Sequence, residues 1–267
     1  MTKINGKRVL ITGGCSGIGK IMARKMLERG ASVVIWDINK ESIDKTVVEL
    51  SSFGKIVGFS ANISNKEEVK LAADATRESI GDVDVLINNA GIVVGKNFVD
   101  HSVEEIDNIM RVNTLGAMYI THEFLSSMIK RNCGHICNIA SSAGMVGNPN
   151  MSVYAASKWA VIGWSDSVRL ELAKIKSKVK VTTILPYYIN TGMFDGVKSR
   201  VPILKPERAA EKIVRAIEHN VIIRTLPRYL YTLTRTIQAL LPMTGFDFVA
   251  GKIFGIYNSM NDFVGRK

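Results

Sequence analysis

The sequence predicts an α/β fold, a doubly wound parallel sheet flanked by helices, and three observations carry that expectation. Short apolar, β-branched runs alternate with longer amphipathic stretches. The alternation repeats through the first two thirds of the chain, which implies parallel strands covered by helices on both faces. A glycine-rich turn also follows the first strand directly and opens the first helix.

Residues 9–12, 32–35, 56–60, 83–88, 134–139 and 179–185 read as buried strands, each bounded by turn signals. Between them, 18–29, 40–51, 66–80, 103–130 and 153–174 read as amphipathic helices. Crossovers between parallel strands are right-handed, so successive units wind outward on both sides of the first strand. No linker, internal repeat or low-complexity tract interrupts the pattern, and 1–267 is expected to be a single domain. After Leu185 the alternation stops. Pro186, Pro202, Pro206, Pro227 and Pro242 punctuate the remainder, and 186–267 is expected to form a substrate-covering lobe with amphipathic C-terminal helices. Leu230, Leu233, Ile237, Leu240 and Leu241 share one helical face there, with Arg228, Tyr231 and Arg235 opposite. A second apolar stretch runs over 246–263. Two readings fit these helices: packing over a pocket or a partner subunit, or an interfacial position on a membrane with arginines among head groups.

Composition bounds the function. At 267 residues and 46% hydrophobic, the chain can bury a substantial core. Cys15, Cys133 and Cys137 form no disulfide framework, and the four histidines lack zinc-ligand spacing, so no metal site is expected. The expected setting is reducing and cytoplasmic, with no signal peptide and no stretch long enough to span a bilayer. Net charge is +11, and the region 196–267 holds twelve Lys/Arg against five Asp/Glu. Such an excess suits an anionic surface. With no nucleic-acid-binding motif, nucleic acid is not an expected partner, and peripheral membrane contact through the basic tail is the reading kept.

Two constellations carry chemistry. In Thr12-Gly13-Gly14-Cys15-Ser16-Gly17-Ile18-Gly19, the glycines permit a tight turn and close approach of a pyrophosphate. The helix that follows adds amide donors and a positive dipole. Gly13, Cys15, Ser16, Gly17, Ile18 and Gly19 are therefore candidate dinucleotide contacts. Asp37, at the end of the second strand, can bond the adenosine ribose hydroxyls and would repel a 2′-phosphate, which favours NAD over NADP. Its competing role is to cap the helix starting near Lys40. The second constellation is Tyr154 and Lys158, four residues apart and so on one helical face. A phenol of pKa ~10 is a poor base at neutral pH, and a neighbouring cation favours its ionised form.

Taken in order, Thr-Gly-x-x-x-Gly-Ile-Gly at 12–19, Asn88-Asn89-Ala90-Gly91, Asn113, Ser141, and Tyr154 with Lys158 resemble the short-chain dehydrogenase/reductase family over nearly the whole chain. The resemblance implies a Rossmann-type fold with a seven-stranded sheet and NAD(P)-dependent interconversion of alcohols and carbonyls. It also implies that Asn89, Ala90 and Gly91 lie along the coenzyme and that Asn62 and Ile63 contact adenine, with Asn62 where the family commonly has Asp. Pro186, Ile189 and Thr191 would hold the nicotinamide end, although Tyr187 replaces a usual glycine. Val34-Ile35-Trp36-Asp37-Ile38-Asn39, Asn138 to Gly144, Leu204-Lys205-Pro206-Glu207 and Ser259-Met260 are similar to the branch containing retinol dehydrogenases and lipid-associated 17-beta-hydroxysteroid dehydrogenases.

The reaction implied is hydride transfer with nicotinamide. Tyr154 would exchange the hydroxyl proton, Lys158 would lower the phenol's pKa and hold the nicotinamide ribose, and Ser141 would orient the substrate oxygen. Asn113 would hold a water linking Lys158 to solvent. Ser142 is the rival to Ser141, and family spacing favours Ser141. Met145, Val146, Met193, Phe194, Val197 and Val201 are either an apolar pocket or ordinary core. A retinoid, steroid or long-chain alcohol is the expected substrate class, against an NADPH-dependent 3-oxoacyl or other carbonyl reductase and against an NAD(H)-binding sensor or scaffold. Apolar residues on several faces of the helices bearing Asn113 and Tyr154 predict a homodimer or homotetramer.

Overall fold

The computed structural model describes residues 1–265; Arg266 and Lys267, counted in the basic tail, lie outside the described residues. Seven parallel strands form one sheet in the order β3-β2-β1-β4-β5-β6-β7. They are β1 (Arg8–Thr12), β2 (Ser32–Asp37), β3 (Ile56–Ser60), β4 (Val85–Asn88), β5 (His135–Ile139), β6 (Lys180–Pro186) and β7 (Ile223–Leu226). The winding direction reverses between β1 and β4, whose registers align Val9 with Val85 and Ile11 with Ile87. In open α/β sheets this reversal leaves a crevice at the strands' carboxyl ends, where ligands bind.

Helices α1 (Gly17–Leu27), α2 (Lys40–Leu50), α3 (Lys66–Ile80), α4 (Val103–Met110), α5 (Gly116–Lys130), α6 (Ser152–Lys174) and α7 (Pro206–Glu218) cover the two faces. Because both faces are covered, the central strands are continuously apolar: Val9, Leu10 and Ile11 are fully buried, as are Val33 to Trp36. Alternate residues feed separate cores. Val9, Ile11, Val33 and Ile35 pack toward α1 and α7, whereas Leu10, Val34, Trp36 and Leu86 pack toward α3 and α5. Trp36 is satisfied at its polar end as well, donating from Nε1 to Thr76 Oγ1 at 3.0 Å.

A buried polar ladder stitches the strands beneath the crevice. Asn88 Nδ2 donates to Asn138 Oδ1 at 2.8 Å and to Thr121 Oγ1 at 3.0 Å, and Asn138 Nδ2 donates to Ser165 Oγ at 2.8 Å. At the opposite end of the sheet, Arg8 and Arg131 bracket Asp84, holding its carboxyl down to about 2 against the cost of burying it.

Three elements depart from the sequence expectation. The helix expected over 103–130 is interrupted by a π-helical turn, Arg111–Leu115. Its amphipathic period continues across the interruption, which is why periodicity alone shows one helix. The last strand, β7, was not read from sequence as a separate run; only the family resemblance implied a seventh strand. It has four residues and pairs solely with β6, and Arg224 sits in its middle. In the lobe, α8 (Tyr229–Leu240) and the short α9 (Met243–Phe248) form, yet α8 buries no residue completely. Leu230, Leu233 and Ile237 face a cavity as expected, whereas Leu240 and Leu241 are exposed. Tyr231, expected on the polar face, instead packs against the cluster of Ala140, Met145, Val161 and Leu185.

Candidate active site

Above the β1–β4 reversal lies a cleft of about 310 Å³. Its walls include Gly13, Ser16, Gly17, Ile18, Asn89, Ala90, Gly91, Ser141, Tyr154, Lys158, Pro186, Ile189 and Thr191. Residues spread over nearly 180 positions of sequence thus meet in one place because the strands' carboxyl ends all open on the same edge.

The glycine-rich turn is shaped by close contact. Gly13 adopts φ +63°, and a Cβ there would stand 3.0 Å from Ala90 Cα, so a side chain is excluded by both strain and space. Gly19 packs so closely on the turn that a Cβ would collide with the Gly13 carbonyl oxygen. Thr12 ties this turn to the end of β4: its Oγ1 accepts from the backbone N–H groups of Asn89 at 3.0 Å and Ala90 at 3.1 Å. Asn89 returns the contact through Nδ2, donating to the carbonyls of Thr12 and Gly13. Helix α1 begins at Gly17 with no acidic residue in its first turn, so its positive end is left uncompensated on the cleft side. Burial, with the nearby Asp37 carboxylate, pushes the Cys15 thiol up to about 12.

Asp37 lies beside this turn at the end of β2, and its carboxylate accepts from the Cys15 N–H at 3.3 Å and from Ile38 N–H at 2.9 Å. It does not cap α2. Asn39 does that, accepting from Ser42 N–H at 2.8 Å. The competing structural role for Asp37 is therefore occupied by another residue. Asn62 follows β3, with its Oδ1 engaged by the Ser64 N–H and hydroxyl. Ile63 is buried against Gly116. Cys15, Gly19, Asp37, Asn62, Ile63 and Asn113 are not among the residues that wall the central cleft.

Tyr154 and Lys158 stand on one face of α6 and are both buried at the cleft wall. Lys158 Nζ donates to the Ile139 carbonyl at 3.0 Å and lies 5.7 Å from the Tyr154 ring centroid. Burial pushes the phenol up to about 12, with the hydrogen bond to Ser141 opposing that rise. The same burial pulls the ammonium down to about 8. Desolvation is the larger influence on the phenol, so the lowering expected from the cation does not emerge and burial favours the neutral form. Ser141, two residues past β5 and still extended, caps a short 3₁₀ turn and lines both the cleft and the cavity beyond it, whereas Ser142 opens that turn and lines the cavity alone.

Asn113 reaches the site indirectly. The π-helical turn directs its Oδ1 to the Ile92 N–H at 2.8 Å and its Nδ2 to the Ile92 carbonyl and to Ser157 Oγ. Ser157, fully buried, donates in turn to the Tyr154 carbonyl at 2.7 Å, and its own carbonyl accepts from Thr114. Sequence reasoning missed Ser157 and Thr12. The available signal was each one's place, a small hydroxyl beside a motif residue, but hydroxyls in such places are common.

Beyond Ser141 the cleft leads to an apolar cavity of about 60 Å³ walled by Met145, Val146, Met151, Tyr187, Phe194 and Leu230 among others. A neighbouring cavity of about 40 Å³ shares Val146, Tyr187 and Leu230 and reaches Val201 and Phe246 under α8. Met193 walls the central cleft itself, and Val197 is core beside Tyr154 and Tyr188.

A family model described as short chain dehydrogenase matches residues 7–201. The chain is 36% identical to epidermal retinol dehydrogenase 2 of Mus musculus, covering 99% of this chain and 87% of the relative. It is 33% identical to estradiol 17-beta-dehydrogenase 11 of Pongo abelii, covering 90% and 80%. Among solved structures, a short chain dehydrogenase/reductase from Burkholderia phymatum in complex with NAD is similar at TM-score 0.83 and 25% identity, covering 90% of this chain and 95% of that one. A metagenomic short-chain oxidoreductase in complex with NADP is similar at TM-score 0.71 and 26% identity, covering 81% and 92%.

Proposed function

The chain belongs to the short chain dehydrogenase family, an NAD(P)-dependent oxidoreductase family, and from that premise we propose that it interconverts a lipophilic alcohol and its carbonyl compound using NAD(H). The observation that carries this reading is the meeting of Ser141, Tyr154 and Lys158 on a cleft that continues into an apolar cavity.

The residues fit a dinucleotide: a turn with no room for a side chain at Gly13 or Gly19, the start of α1 with no acidic residue in its first turn, and the Asp37 carboxylate beside it. Gly13, Ser16, Gly17 and Ile18 would hold the pyrophosphate, Asn89 to Gly91 the central portion, and Pro186, Ile189 and Thr191 the nicotinamide end. Asn62 and Ile63 would flank the adenine. Asp37 supports NAD over NADP, since a buried-edge carboxylate repels a 2′-phosphate. When bound, the nicotinamide supplies or accepts the hydride.

Tyr154 as the phenol gives its proton to the carbonyl oxygen during reduction, and as the phenolate takes the hydroxyl proton during oxidation. Ser141 donates to the same substrate oxygen and fixes its direction. Lys158 supplies the positive charge that favours ionised Tyr154, and Asn113 fixes the backbone of that reaction face through Ile92 and Ser157. The apolar walls of the adjoining cavities favour a retinoid, steroid or long-chain alcohol.

An NAD(H)-coupled screen of those three classes, run in parallel with NADP(H), tests the reading. Turnover of at least one class with a preference for NAD is expected. Tight NADH binding without turnover of any alcohol or carbonyl would leave the sensor or scaffold role instead, and preference for NADPH would favour the carbonyl-reductase role. Two associations follow as proposals. Trp159 and Leu170 on α6 and Val103 on α4 stay exposed, which supports pairing with another copy, measurable by light scattering. No helix of the described residues is long and apolar enough to cross a membrane. Exposed Leu240, Met243, Phe248 and Ile253, together with the basic charge of the tail, support contact with an anionic bilayer, measurable by vesicle co-sedimentation.

A further inference from the structure

Tyr187 alone among the described residues walls three spaces at once: the central cleft, the apolar cavity beyond Ser141 and the neighbouring cavity under α8. The two cavities, of about 60 and about 40 Å³, are separate, and the contacts of Tyr187 run from one to the other. Its ring meets Tyr188, a wall of the first cavity, edge-on with centroids 4.6 Å apart. Its hydroxyl lies 2.9 Å from Ser199 Oγ, which is tied to Val201, a wall of the second cavity. Ser199 Oγ gives its proton to the Val201 carbonyl at 2.7 Å, so toward Tyr187 it accepts and the phenol donates. The backbone end is fixed too, since the Tyr187 N–H donates to the Leu226 carbonyl at the end of β7 at 2.8 Å. Held at both ends, the ring is a fixed partition.

We propose that Tyr187 is the specificity-determining residue of the alcohol site, its ring setting how far a lipophilic alcohol extends toward α8. This rests on the alcohol–carbonyl reading of the site and deepens it. Ser141 walls both the cleft and the first cavity, so the apolar part of an alcohol held there enters that cavity and meets Tyr187. Each methylene buried before that point adds roughly fourfold to kcat/KM, and methylenes beyond it add nothing. Removing the ring joins the first cavity to the space under α8, whose walls of Val201, Leu233, Ile237 and Phe246 are apolar.

A series of straight-chain primary alcohols of increasing length tests this, each scored against butanol in the same protein so that changes at the coenzyme cancel. In the wild type, kcat/KM is expected to climb with length and then level off. In Tyr187→Ala the climb is expected to continue for two or three further methylenes, a relative gain of about tenfold or more for the longest alcohols. Tyr187→Phe, which keeps the ring and loses only the bond to Ser199, is expected to level off where the wild type does. A wild-type climb with no limit, an unmoved limit in Tyr187→Ala, or a limit moved equally by Tyr187→Phe would each overturn the assignment. If Tyr187→Ala does not fold, Tyr187→Leu carries the same expectation to a smaller degree. Should no alcohol turn over in the wild type, the hydride-transfer reading fails separately. Calorimetry of the same series on the NADH complex then still reads the limit, as the length at which affinity stops rising.

Discussion

Around Thr12 and Asn89, at the coenzyme wall, backbone and side chain are tied together by reciprocal hydrogen bonds, and the strands beneath are locked by the Asn88–Asn138–Ser165 ladder. Across the cleft, α8 buries no residue completely, small cavities lie beneath it, and Leu240 is 75% exposed. One wall is over-determined and the other is loosely packed. On the proposed function the difference suits the two ligands: every substrate is met by the same dinucleotide, whose wall gains from preorganisation, whereas a site for the alcohol would select by apolar shape and a few polar contacts.

The largest effect is expected where the walls meet. Tyr154→Phe should lower kcat about 10²–10⁴-fold while NADH affinity, read by fluorescence titration, does not change. A small loss in kcat would break the comparison, because the chemistry would then belong to neither wall. Acid should weaken the sheet side next. His135, buried between Thr2 and Thr182, is pulled down to about 4 by desolvation. A folded-state value below the ordinary 6.5 means the unfolded chain binds the extra proton. The stability is thus complete above about pH 6.5 and is lost as pH falls toward 4, by roughly 2–3 kcal/mol. Denaturant midpoints across that window measure it, and His135→Gln should flatten the slope.

Thr12→Val leaves two backbone N–H groups at the coenzyme wall without their acceptor and should cost about 1–3 kcal/mol by denaturant unfolding. Asp37→Ser should move the NAD-to-NADP ratio of kcat/KM toward NADP by about tenfold or more, leaving the alcohol KM unmoved. The smallest effect belongs to the lobe. Leu240→Ser should change stability by less than about 0.5 kcal/mol while reducing any vesicle binding. A Leu240→Ser cost equal to that of Thr12→Val would show the lobe to be as tightly built as the sheet.

Legibility in the sequence divides along the same line. The glycine-rich wall was readable because it is local: a strand, a glycine turn and a helix start occupy 8–27, and Gly13, Gly14 and Gly19 each have a steric reason. Tyr154 and Lys158 were readable because helical geometry places them together whatever surrounds them. The direction of the phenol's shift was not, since it depends on how deeply α6 is buried, a property of the packed whole. Ser157 meets Asn113 across 44 residues of sequence, and no spacing rule relates them. Strand β7 has one neighbour, and its four residues are too few for a clear pattern.

The widened helical turn at Arg111–Leu115 makes chain length itself a control on activity. In a regular helix each residue advances the rotation by about 100°, so removing one residue from this turn would let the rod close into uniform coil and swing the Asn113 amide away from Ile92. The loss would come from a healed helix: a single-codon deletion here is expected to remove the contacts of Asn113 with Ile92 and Ser157 behind Tyr154.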